Sequence, residues 1–201
     1  MNTISARLRA RLMLAPLLVL ALSAGASAET ISGDPGHSSA TFSVKHFSIT
    51  TVTGVIPVQS WSATAGPSLI PQSITATLDA TGIDTKQADR DNNLRGPDWL
   101  NTGKYPTLTF KSSKIEAGPD NTFKATGDLT INGVTKPVTF DGKFEGSITD
   151  GRGNKRAGYT ATATVDRRDF GLNFAAKTPG GALVAGYDVT LTIQAEGIVK
   201  S

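Results

Sequence analysis

Phe123–Thr149 reads FKATGDLTINGVTKPVTFDGKFEGSIT, and its pattern decides the fold. Before Asn132-Gly133, Phe123, Ala125, Gly127, Leu129 and Ile131 alternate with Lys124, Thr126, Asp128 and Thr130. After it, Val138, Phe140, Gly142, Phe144 and Ile148 oppose Thr139, Asp141, Lys143, Glu145 and Thr149. Successive side chains of a strand point to opposite faces, so a period of two predicts two strands, each with one apolar and one polar face. Asn-Gly readily supplies the positive φ angles of a tight hairpin turn, so the two strands pair antiparallel.

The same alternation runs outward in both directions. Downstream it recurs at Tyr159, Ala161, Ala163 and Val165, and at Val189, Leu191 and Ile193. Upstream it recurs at Leu108 and Phe110, at Ile74, Ala76, Leu78 and Ala80, and at Ala40, Phe42 and Val44. An eighth, poorer strand is expected between Thr51 and Thr64, broken by Pro57. Pro119-Asp120-Asn121 and Asp150-Gly151 are further hairpin turns. No repeat or low-complexity linker divides the chain. The expectation is an all-β domain over residues 29–201, an eight-stranded antiparallel barrel with a two-sheet sandwich as the alternative.

One stretch breaks the pattern, Gly82 to Phe110, GIDTKQADRDNNLRGPDWLNTGKYPTLTF. Asp84 or Thr85 can cap a helix start, Lys86 to Leu94 holds no Gly, Pro or β-branched residue, and Gly96-Pro97 ends it. The sequence therefore predicts one short helix in a long connection. Its apolar stripe is too thin for a core helix, so it lies over another element's core. Asp89, Arg90, Asp91 and Arg95 read either as a solvated face or as a polar rim over a cavity mouth.

Residues 1–28 have the form of a secretory signal peptide: Arg7, Arg9 and Arg11, an apolar run from Leu12 to Leu22, and Ala26-Ser27-Ala28 as cleavage site. That run is short for a bilayer span, which needs about 20 residues. Without the leader's three Arg, the 20 basic residues fall to 17, against 17 acids. No basic field remains, and no nucleic-acid partner is expected. With no Cys, disulfides, thiolate ligands and lipidation at a cysteine are excluded.

The polar faces carry Thr, Lys, Asp and Glu and the other faces nearly all the Phe, the reverse of a membrane barrel, so the apolar residues point inward. An eight-stranded barrel is either just filled by side chains or holds one small ligand. Ala125, Gly127, Gly142, Gly146, Ala161 and Ala163 on the inward faces predict unfilled volume, unless the glycines mark bends. Catalytic sets are scarce. The two His, His37 and His46, stand in no metal or nucleophile motif, and Arg90 and Arg95 neutralise the acids Asp89, Asp91 and Asp98. No metal or cofactor is expected.

Several segments carry a family resemblance: Asp34 to His46 (DPGHSSATFSVKH), Ala88 to Asp91 with Leu94-Arg95, Asp98 to Asn101 (DWLN), Lys104 to Phe110 (KYPTLTF), Gly127 to Val138 (GDLTINGVTKPV) and Asp166 to Leu172 (DRRDFGL). In order and spacing they resemble the YceI-like family of periplasmic polyisoprenoid-binding proteins across nearly the whole mature chain. The resemblance implies a lipocalin-like barrel enclosing a long-chain apolar small molecule, an isoprenoid or a fatty amide or acid, with no enzymatic activity. The chain departs from the family pattern at Val55 to Trp61 and at Ala185 to Asp188. Expected wall residues are Phe42, Val44, Phe110, Leu129, Ile131, Phe140, Phe144, Phe170 and Leu172. His46, Arg90, Arg95 and Lys104 are expected at a polar head group. An enzyme acting on a lipid-like substrate and a ligand-free interaction domain are the competing classes, and monomer and homodimer stay equally open.

Overall fold

The computed structural model describes residues 28–200, so the expected leader lies almost wholly outside the described residues. The strands are β1 Glu29–Gly33, β2 Ser39–His46, β3 Thr50–Ile56, β4 Val58–Ala65, β5 Pro71–Asp79, β6 Thr107–Ala117, β7 Thr122–Ile131, β8 Val134–Thr149, β9 Lys155–Asp166 and β10 Ala185–Lys200. One α-helix, α1 Ala88–Arg95, lies between β5 and β6. The strands form one antiparallel sheet in the order β1-β4-β5-β6-β7-β8-β9-β10-β2-β3, closed by pairing of β1 with β10. β1 and β2 both lie along β10, while their other edges pair with β4 and β3 respectively. β1–β2 and β3–β4 are thus two interrupted staves, and the ten segments make a closed eight-stave barrel. Closure through β1 leaves β3 paired with β2 alone among the strands, and its other side meets the chain through the single Val55–Asp84 bridge.

The poor strand expected across Pro57 is the β3–β4 stave. Proline has no N–H to give the ladder, and its carbonyl instead accepts from the Asp79 N–H at 2.9 Å. The Asn132-Gly133 turn has φ of 51° and 73°, and Asp120-Asn121 has 52° and 63°, the left-handed pairs that tight hairpins need. Outside the barrel the polar faces pair across strands, as in Lys124 with Asp141 and Thr126 Oγ1 with Thr139 Oγ1 at 2.8 Å. A lipid-facing wall would be apolar there. No helix among the described residues is long and apolar enough to cross a membrane.

Two expectations are corrected by the packing. The helix cap lies two or three residues later than expected. Gln87, not Asp84 or Thr85, caps it by accepting from the Arg90 N–H, because Asp84 is taken up in a bridge to Val55 of β3. Gly142 and Gly127 do not open space. A Cβ on Gly142 would lie 2.3 Å from the Phe123 ring, and one on Gly127 would lie 2.3 Å from the Lys111 carbonyl oxygen. Both permit close approach instead, Gly127 beside the bulge that β6 makes between Ser112 and Lys114.

The barrel has a sealed base. Ile31, Leu69, Phe123 and Tyr159 are buried there, with Trp61 and Phe144 packed against them. Below them Arg156 donates to Asp34 at 2.9 Å, Asp150 at 2.8 Å and Glu196 at 2.6 Å, tying the β1–β2 and β8–β9 connections to β10. The hydrogen bonds from Arg156 and His37 hold the Asp34 carboxyl at about 2, against an ordinary 3.8. At the other end lie the β2–β3 and β7–β8 hairpins, the connection carrying α1, and the β9–β10 connection.

Candidate functional site

Two chambers occupy the barrel axis. The inner one, of about 140 Å³, is lined among others by Trp61, Ala63, Ile74, Phe110, Phe123, Ala125, Leu129, Phe140, Tyr159, Ala161 and Ile193. Its polar content is nearly nil, because each strand sends its alternate apolar residues inward. Phe110 and Phe140 meet edge to face, with ring centroids 5.1 Å apart. A dry apolar cavity of this size takes a benzene-sized group. The outer chamber, of about 580 Å³, falls in the range of ordinary ligand sites, about 300 to 1,000 Å³. Its walls include Val44, Val52, Ile83, Leu94, Trp99, Leu100, Phe170, Leu172, Phe174 and Val189. Phe42, Ile56, Leu108, Ile131 and Leu191 border both, so the two chambers abut.

Charge enters only at the outer chamber, through Lys45, Arg90 and Arg167 with Asp89 opposing them, and His46 lies beside Lys45. The connection over the mouth owes its order to polar contacts. Asp91, the one buried residue of α1, accepts from the Thr85 N–H at 2.9 Å and from Thr85 Oγ1 at 2.5 Å. Arg90 donates to Thr85 Oγ1 at 2.7 Å and to the Thr85 carbonyl at 2.9 Å. Asp91 and Arg90 therefore fasten Thr85 to the helix, and of the two only Arg90 also lines the chamber.

Arg167, quoted above only within the family resemblance, is the most deeply buried charge, at 3% exposed. Its guanidinium donates to the carbonyls of Gly186 at 2.9 Å, Phe174 at 2.6 Å, Ala185 at 3.1 Å, and Leu172. It also lies 5.1 Å over the Trp99 ring and 5.0 Å over Tyr187. Asp166 is paired instead with Arg168, and among the described residues no carboxylate lies within ion-pair distance of Arg167. Burial pulls its pKa below the usual arginine value. Arg167 thus clamps both ends of the segment 171–186, which arches across the mouth.

Of the expected wall residues, Phe42, Phe110, Leu129, Ile131 and Phe140 line the inner chamber, and Phe42, Val44, Ile131, Phe170 and Leu172 the outer one. Phe144 does not line either, because β8 shifts register between Phe144 and Gly146 and the ring packs on Tyr159 at 5.5 Å. Of the expected head-group residues, His46 and Arg90 line the outer chamber. Arg95 does not, since its guanidinium is used on the carbonyls of Ile83 at 3.0 Å and Thr81 at 3.3 Å. Lys104 does not either. The turn at Asn101 carries it outward, where its ammonium lies 5.0 Å from the Tyr105 ring centroid.

Comparison with known proteins bears on the whole barrel. Residues 32–197 match the YceI-like domain model. Protein YceI of Escherichia coli is 42% identical over 125 residues, which are 62% of each chain, so the match spans less than two thirds of that relative's length. The crystal structure of Burkholderia cenocepacia BcnA superposes with a TM-score of 0.67 at 20% identity, over 82% of this chain and 98% of that one. A polyisoprenoid binding domain from Saccharophagus degradans superposes with a TM-score of 0.63 at 12% identity, over 84% and 97%. Such low identities speak to the fold alone. Since the matched residues take in almost every stave and both chambers, the chain belongs to the YceI-like domain family.

Proposed function

We propose that this protein binds one long-chain apolar molecule along the two chambers, a polyisoprenoid or a fatty amide or acid, and carries or sequesters it. The observation that carries this reading is the pair of abutting apolar chambers inside a closed barrel, with charge confined to one end. Burying a chain contributes about 0.8 kcal/mol per CH₂, so several isoprene units give useful affinity without a strong polar contact. The Saccharophagus degradans domain of the same fold is a polyisoprenoid binding domain, which makes prenyl chains the first class to test. Phe42, Phe110, Leu129, Ile131 and Phe140 would hold the inner part of the chain, with Val44, Phe170 and Leu172 around the outer part. His46 and Arg90 would meet its polar end.

The same reading places the protein in the periplasm, exported by residues 1–28 and cleaved after Ala28. The first strand begins at Glu29, where the mature chain would start. N-terminal sequencing of periplasmic material should begin at Glu29, and a start at Met1 refutes export. Native mass spectrometry of protein from its own periplasm, before and after organic extraction, tests the ligand. A removable apolar species supports the reading. No such species, together with no uptake of added prenyl lipid, counts against it.

A further inference from the structure

The rim of the outer chamber carries an unusual turn. Within the three-residue β2–β3 loop the Ile49 N–H donates to the His46 carbonyl at 3.1 Å, closing a turn whose central residues, Phe47 and Ser48, have φ of 50° and 64°. Such turns strongly favour Asn-Gly, because left-handed backbone crowds a Cβ, and a bulky residue there is a true outlier. In the shorter, two-residue β7–β8 turn the same left-handed angles fall on Asn132-Gly133. The Phe47 ring is half-buried and lies 3.9 Å from that of His46, and the strained backbone holds it at the tip of β2–β3. The residue that follows, Ile49, is 79% exposed.

Beside this tip stands a second projection. Within the β9–β10 connection, residues 176–184 fold back on themselves, with Thr178 N–H on the Ala182 carbonyl and Val184 N–H on the Ala176 carbonyl, both at 2.9 Å. Phe174 at its root is 37% exposed, and Ala175 and Ala176 follow it in the exposed stretch. The Phe47 N–H donates to the Val184 carbonyl at 3.2 Å, so the two projections form one surface around the mouth. Residues 44–52 and 171–184 contain Lys45, His46 and Lys177 but no Asp or Glu. The one acid lining the outer chamber, Asp89, belongs to α1. Apolar tips with interspersed lysines and no acids are complementary to the interface of an anionic bilayer.

We infer that the open end of the barrel docks on anionic phospholipid membranes through the Phe47–Ile49 tip and the 174–177 segment. Docking would place the mouth of the outer chamber against the acyl region, so that an apolar chain passes between bilayer and barrel without crossing water. The exchange rests on the proposed binding function, but the docking does not.

Flotation with vesicles separates the two. Wild-type protein should float with phosphatidylcholine–phosphatidylglycerol vesicles, less with pure phosphatidylcholine, and less again at high salt. The double variant Phe47→Asn/Ser48→Gly relieves the turn and removes the ring, and neither residue lines a chamber. It should keep or raise its melting temperature, keep uptake of a detergent-dispersed fluorescent prenyl probe, and lose about tenfold in vesicle partitioning. Ile49→Glu should lose a similar factor. Equal flotation of variant and wild type overturns the inference. So does no flotation of wild type that still takes up the probe, or a dimer at these tips that the variants abolish without any vesicle binding. Flotation without probe uptake supports docking and overturns the binding function instead.

Discussion

The Tyr159 hydroxyl donates to the Leu69 carbonyl oxygen at 2.9 Å across the base of the barrel. Leu69 is a buried bulky residue with φ of 60°, a conformation that costs an L-residue about 1 to 2 kcal/mol. The bond helps hold it where its side chain packs into the buried cluster at the base. Burial in turn pushes the Tyr159 pKa up, so the phenol keeps its proton through the ordinary range of pH. Tyr159→Phe removes only the donor and leaves the carbonyl unsatisfied, at about 1 to 3 kcal/mol. Thermal denaturation should show a midpoint about 2 to 10 °C lower. An unchanged midpoint would mean that the seal rests on packing alone.

Filling the cavity and crowding the wall should have opposite signatures. Ala161 borders the inner chamber, so Ala161→Leu adds volume to open space: little change in stability and a sharp fall in prenyl-probe uptake are expected. Gly142→Ala instead drives a methyl into the Phe123 ring, and overpacking of this kind costs about 1 to 3 kcal/mol. Paired thermal melts and probe titrations on the two variants check this. Ala161→Leu that destabilises strongly and leaves uptake intact would argue for a filled core.

Acid should loosen the base of the barrel. The Asp34 carboxyl is held at about 2 against an ordinary 3.8, first by its hydrogen bond from Arg156 and next by that from His37, and Asp150 is lowered likewise. A depressed carboxylate stabilises the fold at pH above its unfolded value, and the contribution disappears as pH falls through the folded one. The melting temperature should therefore decline between about pH 4 and 2. Arg156→Met should lower it at neutral pH and make that acid decline shallower. Parallel curves for both proteins would remove Arg156 from the account.

Arg167 supports the arch over the mouth, and its replacement should act there first. Arg167→Met leaves four carbonyls without their donor, a loss of several kcal/mol if all stay buried. Segment 171–186 would release to recover solvation. Limited proteolysis should cut within residues 173–183 much faster than in wild type while the barrel core survives. Cleavage rates equal to wild type would show that the arch is held by other contacts.

Much of this architecture could be read from residue order. The alternation around Asn132-Gly133 predicts both a hairpin and an inward face, and every other run repeats it, so eight staves follow. What misled were contacts between residues that are distant along the chain. Gly142 looks like an empty inward position until Phe123, its neighbour across the β7–β8 ladder, lays a ring over it. Arg95 and Lys104 look like free cations until backbone carbonyls and Tyr105 claim them. Arg167 gave no local sign of burial. It is covered by the return of the chain from Leu172 to Gly186, which no short window contains.

Helix α1 buries an aspartate where most helices bury leucine. Releasing it from the barrel would expose carboxylate, hydroxyl and guanidinium groups and, of its own large apolar side chains, Leu94 alone, and the heat capacity of opening scales with the apolar surface laid bare. Whatever free energy separates its docked and released forms should therefore vary only weakly with temperature, while the barrel beneath follows the curved stability of an ordinary hydrophobic core.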